Sequence, residues 1–364
     1  MYALCQICPL IPPSKDGVGA SALKLHRIFK SRGIASFLIT STDQQGVEGV
    51  SCSIKSWTLP SAMRIIPFVR RQKVHSVLIH YPSPRYYRSI SIVFLPWVLR
   101  MAGLKVNVLL HEYSEYSHLG KLRILMLILF ANLVLVTDSI NRRSLSRIPL
   151  IRKRLCLFPT GSNISSHYSE EDLCVIPAAR KGKLRILYFG LIRAGKGLDK
   201  ILDMFDSRSE IGERVELHVI GGTPEASVRD DVELLNRIRQ YPFIVLHGYL
   251  DDHAISEMFA QSEIVLLPYE DGLTERRGSF MAAMASGKPV VTSLPSIAIE
   301  GLQDNYNVIF LPNNSHLEIA ATLMRLSEKR PSDLSEIGSN AIKWYTSHYS
   351  DSVLYDRLVQ MLRW

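Results

Sequence analysis

Two stretches of the chain carry residue types that can hold a phosphate. In Gly190-Leu191-Ile192-Arg193-Ala194-Gly195-Lys196-Gly197, two cations stand three positions apart among glycines. Glycine lets a backbone approach an anion, and Arg193 and Lys196 supply the opposing charge. The spacing fits neither a Walker loop nor GxGxxG, so this stretch taken alone also suits a solvated turn. Within residues 262–293, an apolar run (264–267) ends at Pro268 and an acidic, glycine-containing loop follows. A short helix then opens near Gly278 and Ser279, directly after Arg276 and Arg277. A helix start aims unpaired N–H groups outward, and arginines beside it favour a phosphate guest. The segment reads as half of a nucleotide-diphosphate pocket.

Such loops need strands to hold them. In the first half, residues 2–10, 36–40, 76–80, 106–111 and 133–136 read as strands, and 22–32 as an amphipathic helix closed by Gly33. The pattern restarts at 185–189, followed by a helix over 198–205 and strands at 216–220, 243–246, 264–267, 290–292 and 308–311. Residues 334–364 read as helical throughout. Strands alternating with helices predict parallel sheets with right-handed crossovers. The class is α/β: two doubly wound, Rossmann-like domains with a cleft between their strand ends, where ligands bind. The expected boundaries are 1–165 for the first domain, a polar linker to about 183, and 183–345 for the second domain. A closing helix over 346–364 is expected to pack back on the first domain.

Composition narrows the classes. The chain has 364 residues, 47% hydrophobic and 21% charged, which allows two ordinary cores and excludes a largely disordered protein. The longest nearly apolar run, 124–136, is too short to span a bilayer and contains Asn132. The start of the chain lacks a basic segment before its apolar residues and reads as a buried strand rather than a signal peptide. Five cysteines show no framework spacing; the Cys5/Cys8 pair lies in a strand pattern, which points to reduced thiols and the cytosol. Residues 1–160 hold 22 Lys and Arg against 6 Asp and Glu, whereas 161–364 hold 21 against 28. A first half this basic fits a polyanionic partner, either an anionic membrane surface or a phosphorylated acceptor, or simply a basic solvated surface. The cations gather at Lys24, Arg27, Lys30 and Arg32, along 85–105 beside Tyr86, Tyr87, Phe94 and Trp97, at Lys121 and Arg123, and over 142–154. Together they form a surface expected to dock on anionic lipid, with the apolar residues among them reading as core. Nucleic acid is not an expected partner, because the aromatic-basic strand motifs of RNA modules are missing.

Phe189-Gly190-x-Ile192-Arg193-x-x-Lys196-Gly197-Leu198-Asp199 is similar to the first loop of the C-terminal domain in glycosyltransferase family 4. Leu246-His247-Gly248-Tyr249-Leu250 followed by the 262–293 block resembles the family more strongly. The segment 159–164 (PTGSNI), the 12–19 loop (PPSKDGVG) and His111-Glu112 match further motifs, so the resemblance runs in order along nearly the whole chain. It implies a GT-B fold and sugar transfer, with retention, from a nucleotide-diphosphate sugar that serves as donor substrate, with no cofactor and no required metal. Arg193 and Lys196 would hold the donor diphosphate from one side, and Gly278 and Ser279 from the other. Charge grows on the departing nucleoside diphosphate, where fixed cations and amides stabilise it. The acceptor hydroxyl would approach on the same face and pass its proton to the leaving phosphate, without an enzymic nucleophile.

Two features depart from the family. Its paired glutamates fall at Thr274 and Ala282 here; Glu275 or Asp271 is expected to meet the sugar hydroxyls, and the nucleotide base is left open. The arginine usual after the first glycine is Leu191, for which Arg193 is expected to compensate. In the first domain, Gly17 and Gly19 would let amides reach the donor phosphates or acceptor, or form a plain turn. His111 would hydrogen-bond the sugar or acceptor, or pack at a strand end, and Glu112 would orient a hydroxyl or act as a weak base. Cysteine usage, the basic first half and the resemblance together predict a cytosolic enzyme, peripheral on the inner face of the cell membrane, acting on a lipid-linked glycan acceptor in surface polysaccharide or glycolipid assembly. A nucleotide-sugar epimerase, a nucleotide-sugar-binding regulator and a basic nucleic-acid-binding protein are the alternative readings.

Overall fold

A computed structural model describes residues 3–14, 16–44, 46, 49–86, 89–164, 183–223 and 229–362. The expected linker over 165–182, Cys174, Tyr87 and the last two positions of the closing segment lie outside the described residues. The chain forms two compact units, one from Met1–Asn163 with Asp351–Trp364 and one from Ile164–Ser350.

The first unit holds a parallel sheet of β1 (Ala3–Ile7), β2 (Ala35–Ser41), β3 (Val50–Ile54), β4 (Ser76–Tyr81), β5 (Lys105–Leu110), β6 (Leu133–Val136) and β7 (Leu155–Leu157). Their order is β3-β2-β1-β4-β5-β6-β7, so it reverses between β1 and β4; Cys5 pairs with Phe37 on one side and Val77 on the other. The helices longer than one turn are α1 (Gly17–Ser31), α2 (Ile65–Arg71), α3 (Leu95–Met101), α4 (His118–Leu129) and α5 (Ser139–Ser146). Side chains alternate across each strand. Leu4, Leu78, Leu109 and Leu135 point to the face covered by α1, while Cys5, Val77, Val108 and Val134 point to the face covered by α2, α3, α4 and α5.

Three expectations differ here. The edge strand β3 and the short β7 were not foreseen, because serines at alternate positions break any apolar run in β3 and β7 is only three residues long. Helix α1 begins at Gly17 rather than near residue 22, because the Asp16 carboxylate caps it by accepting from the Gly19 N–H at 3.0 Å.

The second unit repeats the plan. Its strands are β8 (Leu184–Phe189), β9 (Val215–Ile220), β10 (Ile244–Gly248), β11 (Ile264–Leu267), β12 (Val290–Ser293) and β13 (Ile309–Leu311). They are parallel in the order β10-β9-β8-β11-β12-β13, reversing between β8 and β11. The helices longer than one turn are α6 (Leu198–Ser207), α7 (Arg229–Ile238), α8 (Asp252–Gln261), α9 (Gly278–Ala285), α10 (His316–Ser327) and α11 (Pro331–Tyr349). The helical run expected over 334–364 is interrupted, because Ser350 turns extended (φ −60°, ψ 157°) and ends α11. The last helix, α12 (Asp351–Leu362), belongs to the first unit: Leu354, Leu358 and Leu362 are buried with Leu4, Leu25 and Phe29, and Asp351 pairs with Lys24 at 2.7 Å.

Candidate active site

In an open α/β sheet a crevice forms outside the carboxyl ends of two adjacent strands whose connections run in opposite directions. In the second unit those strands are β8 and β11. The loop leaving β8 is 190–197 and the loop leaving β11 is 268–277, the two stretches chosen from the sequence for phosphate chemistry. Sheet order therefore makes them neighbours although about eighty positions separate them.

Their approach is close. A Cβ placed on Gly190 would sit 3.8 Å from Ser279 Oγ and 3.7 Å from Tyr188 Oη. Gly197, at φ +85°, is so near the end of β11 that a Cβ there would lie 1.9 Å from the Pro268 carbonyl oxygen. Only glycine fits that turn. Two buried tyrosines pin the loops. Tyr188 Oη donates to the Leu191 carbonyl at 3.2 Å, and Tyr269 Oη shares a hydrogen bond with Ser279 Oγ at 2.7 Å. Burial pushes the Tyr269 hydroxyl up to about 12, so it remains a neutral hydrogen-bonding group.

Of the expected ligands in this unit, Arg193 is exposed and Lys196 half-buried on the first loop, while Gly278 and Ser279 open α9 on the second. Arg277, the residue before α9, makes no side-chain cap to it. Its guanidinium is buried, pairs with Asp271 and stacks 4.6 Å from the Tyr269 ring centroid. Arg277 therefore fastens the loop from inside rather than facing a phosphate as its sequence position suggested. Asp271, a candidate for the sugar hydroxyls, is the exposed partner of that pair, and Glu275 is only 4% exposed. The residues at the family's glutamate positions are Thr274, buried with no hydrogen-bond partner on Oγ1 among the described residues, and Ala282, buried in the core.

The loops also hold a carboxylate pair that the sequence did not reveal. Glu270 shares a hydrogen bond with Asp199, and that contact chiefly raises its pKa. Lys200 lies 3.8 Å away, and Glu270 Oε2 would lie 3.7 Å from a Cβ on Gly195. Asp199 was visible only as the last residue of a motif, and no spacing links it to Glu270.

In the first unit, the candidates follow β1 and β5. Gly17 and Gly19 sit in the first turn of α1 rather than in a free loop. The Gly19 N–H is taken by Asp16, and a Cβ there would lie 2.1 Å from the Leu10 carbonyl oxygen, whereas Gly17 has open space around it. Burial raises the Asp16 carboxyl, and Glu112 adds to the rise, so the loops after β1 and β5 meet electrostatically. His111 follows β5 and stacks on buried His80, with ring centroids 5.7 Å apart. Gln6 Oε1 lies 2.9 Å from His80 Nε2, and His80 Nδ1 lies 3.5 Å from His111 Nε2. With His80 Nε2–H donating to Gln6, its Nδ1 accepts from His111 Nε2–H, which leaves a lone pair on His111 Nδ1. Burial lowers both histidines, so neutral His111 is an acceptor suited to a hydroxyl. His80 escaped the sequence reading because it lies inside an apolar strand.

Residues 183–329 match the family model of glycosyl transferases group 1. Among solved structures, HepE of Anabaena, bound to UDP, has a TM-score of 0.74 at 16% identity over 100% of both chains. Sucrose-phosphate synthase of Thermosynechococcus elongatus has a TM-score of 0.73 at 14% identity, covering 100% of this chain and 98% of that one. The lipopolysaccharide outer core galactosyltransferase WaaB has a TM-score of 0.66 at 12% identity, covering 100% and 99%. HepE has also been solved with UDP-glucose. No curated protein matches the chain in sequence.

Proposed function

We propose that this chain, with its glycosyl transferases group 1 domain and GT-B fold, moves a sugar with retention from a nucleotide-diphosphate sugar to an acceptor hydroxyl. The domain match and the fold support a glycosyltransferase; the donor, the stereochemistry and the acceptor are the finer reading. The observation that carries this reading is the meeting of the 190–197 loop with the start of α9, where Ser279 Oγ lies 3.8 Å from the Gly190 Cβ position. In the reaction the bond between the anomeric carbon and the phosphate oxygen breaks as the acceptor oxygen bonds to that carbon. The acceptor proton passes to the leaving phosphate. Arg193, Lys196 and the Gly278 and Ser279 amides take up the growing negative charge, and fixed donors of this kind account for much of a transferase's rate. These cations do the neutralising, so the reading needs no metal. His111 accepts from a sugar or acceptor hydroxyl, and Glu112 orients it.

Glu275 is too buried to meet a sugar without rearrangement, so Asp271 is the better placed of the two carboxylates. A lipid-linked glycan acceptor at the inner face of the cell membrane fits the basic first half, and the galactosyltransferase WaaB, a lipopolysaccharide enzyme, shares the fold. Thermal-shift measurements with a panel of nucleoside diphosphates test the donor reading, because a ligand that binds only the folded state raises Tm by mass action. A panel without any shift would overturn it. A shift without turnover on any lipid-linked saccharide would favour the regulator reading, which Thr274 and Ala282 in place of carboxylates support.

A further inference from the structure

The exposed large apolar residues of the first unit are not scattered. On α4, Leu119, Leu122, Met126 and Leu129 are 81%, 55%, 42% and 42% exposed, while Ile124, Leu127 and Ile128 are buried against the sheet. The helix is therefore apolar on both sides, a pattern belonging to buried or membrane-bound helices. It packs against α3 and the turns Ile90–Phe94 and Pro149–Arg152, which expose Trp97, Met101, Ile90 and Leu150 on the same side of the sheet. Arg123 fixes α4 to this surface by donating to the Tyr86 and Ser89 carbonyls, and Arg100 donates to the Phe130 carbonyl.

Charge identifies the occupant. Helices α3, α4 and α5 contain lysine and arginine and not one carboxylate, and no Asp or Glu occurs between Glu48 and Glu112 or between Glu115 and Asp138. Exposed Arg142, Arg143, Arg152 and Lys153 adjoin the apolar residues. A second copy docked on this face would bring like charges together, whereas an anionic lipid leaflet satisfies apolar and cationic groups at once. No described helix is long and apolar enough to cross a membrane, and α4, at twelve residues, fits lying in the interface.

We propose that the outer face of α3, α4 and the Pro149–Arg152 turn inserts its apolar side chains into the boundary between headgroups and acyl chains of an anionic leaflet. The inference deepens the membrane-associated reading above. It also revises the surface expected from the sequence: Lys24, Arg27, Lys30 and Arg32 lie on or beside α1, which covers the opposite face of the sheet. Lys24 is paired with Asp351, and Arg32 stacks over Tyr355 at 5.3 Å. They cannot share a plane with α4.

Phosphatidylcholine vesicles with and without phosphatidylglycerol, carrying brominated acyl chains, test the proposal on the whole protein. Anionic vesicles should bind it and quench its tryptophan emission, and the quenching should vanish in Trp97→Phe. Binding should persist in part at about 0.5 M salt, where purely electrostatic contact is screened. Leu119→Ser with Leu122→Ser should weaken partitioning about tenfold or more, with Tm and the nucleoside-diphosphate shift unchanged. Arg27→Glu with Lys30→Glu, on the α1 face, should bind as the parent does. Quenching that survives Trp97→Phe, wild-type binding by the double-serine variant, or a solution dimer that this variant disperses would overturn the proposal. Failure of every nucleoside diphosphate to bind would sink the transferase reading and leave this surface standing.

Discussion

Lys196 and Gly197 are adjacent in the chain and fail in different ways when changed. Lys196 is half-buried beside a glycine held in the left-handed region, so its substitution disturbs charge rather than backbone. Lys196→Ala should lower kcat about 10²- to 10³-fold, the usual loss when one preorganised donor is removed from developing charge. Its melting curve without ligand should stay within a degree or two of the parent's, because exposed and half-exposed substitutions cost about 0.5 kcal/mol or less. Near-normal turnover would remove Lys196 from the diphosphate site. Gly197→Ala should instead destabilise: the added Cβ must adopt φ near +85° and meets the Pro268 carbonyl at 1.9 Å. Strain of this kind costs about 1–3 kcal/mol, readable as a lower urea midpoint. Gly17→Ala is the contrasting control. It has helical geometry and nothing within 4 Å, so stability should rise by about 0.5–1 kcal/mol. Any loss of transfer in that variant would then report the approach of a ligand.

At the scale of elements, what could be read from residues depended on burial. The central strands β11 and β12 of the second unit were legible because strands buried on both faces are short apolar runs bounded by breakers. The partly buried β3, with serines at alternate positions, offers no such run. The start of α1 was hidden for another reason: Gly17-Val18-Gly19 has poor helix propensity, and the Asp16 cap overrides it. Asp16→Ala should therefore cost about 1 kcal/mol of stability, measurable by urea denaturation, and fraying of the first turn should carry Gly17 with it. An unchanged midpoint would show that packing alone holds the turn. The two phosphate loops were legible from glycine and cation spacing. The Tyr269–Ser279 bond and the closeness of Gly190 to Ser279 were not, since they exist only because β8 and β11 are neighbours in the sheet. Arg277 misled because its type and position match a phosphate ligand, whereas Asp271 and Tyr269 draw it inward.

Across the whole molecule, the uneven charge along the chain was plain in the sequence, but which cations share a surface was not, because the alternation of faces across a sheet decides it. The same burial that separates those faces makes the protein sensitive to acid. His80 has no exposure and His26 only 2%. Burial lowers both, His26 to about 4, and Lys30 and Arg27 beside His26 add to its shift. In the unfolded chain each titrates near 6.5, so below that pH the unfolded state binds protons that the folded state refuses. Stability is therefore fully present above pH 6.5 and is lost as pH falls towards the folded pKa values, by about 1.4 kcal/mol per pH unit for each histidine. Asp16 and Glu270 act in the opposite sense, since their raised carboxyls hold protons longer in the folded state, but their window begins at the lower carboxylate range. The histidines should therefore dominate between pH 6.5 and 5. Urea midpoints measured across that interval should fall steadily, and His26→Asn, which cannot titrate, should flatten the slope by one proton. A midpoint independent of pH from 6.5 to 5 would mean that these rings reach solvent and take up their protons without unfolding.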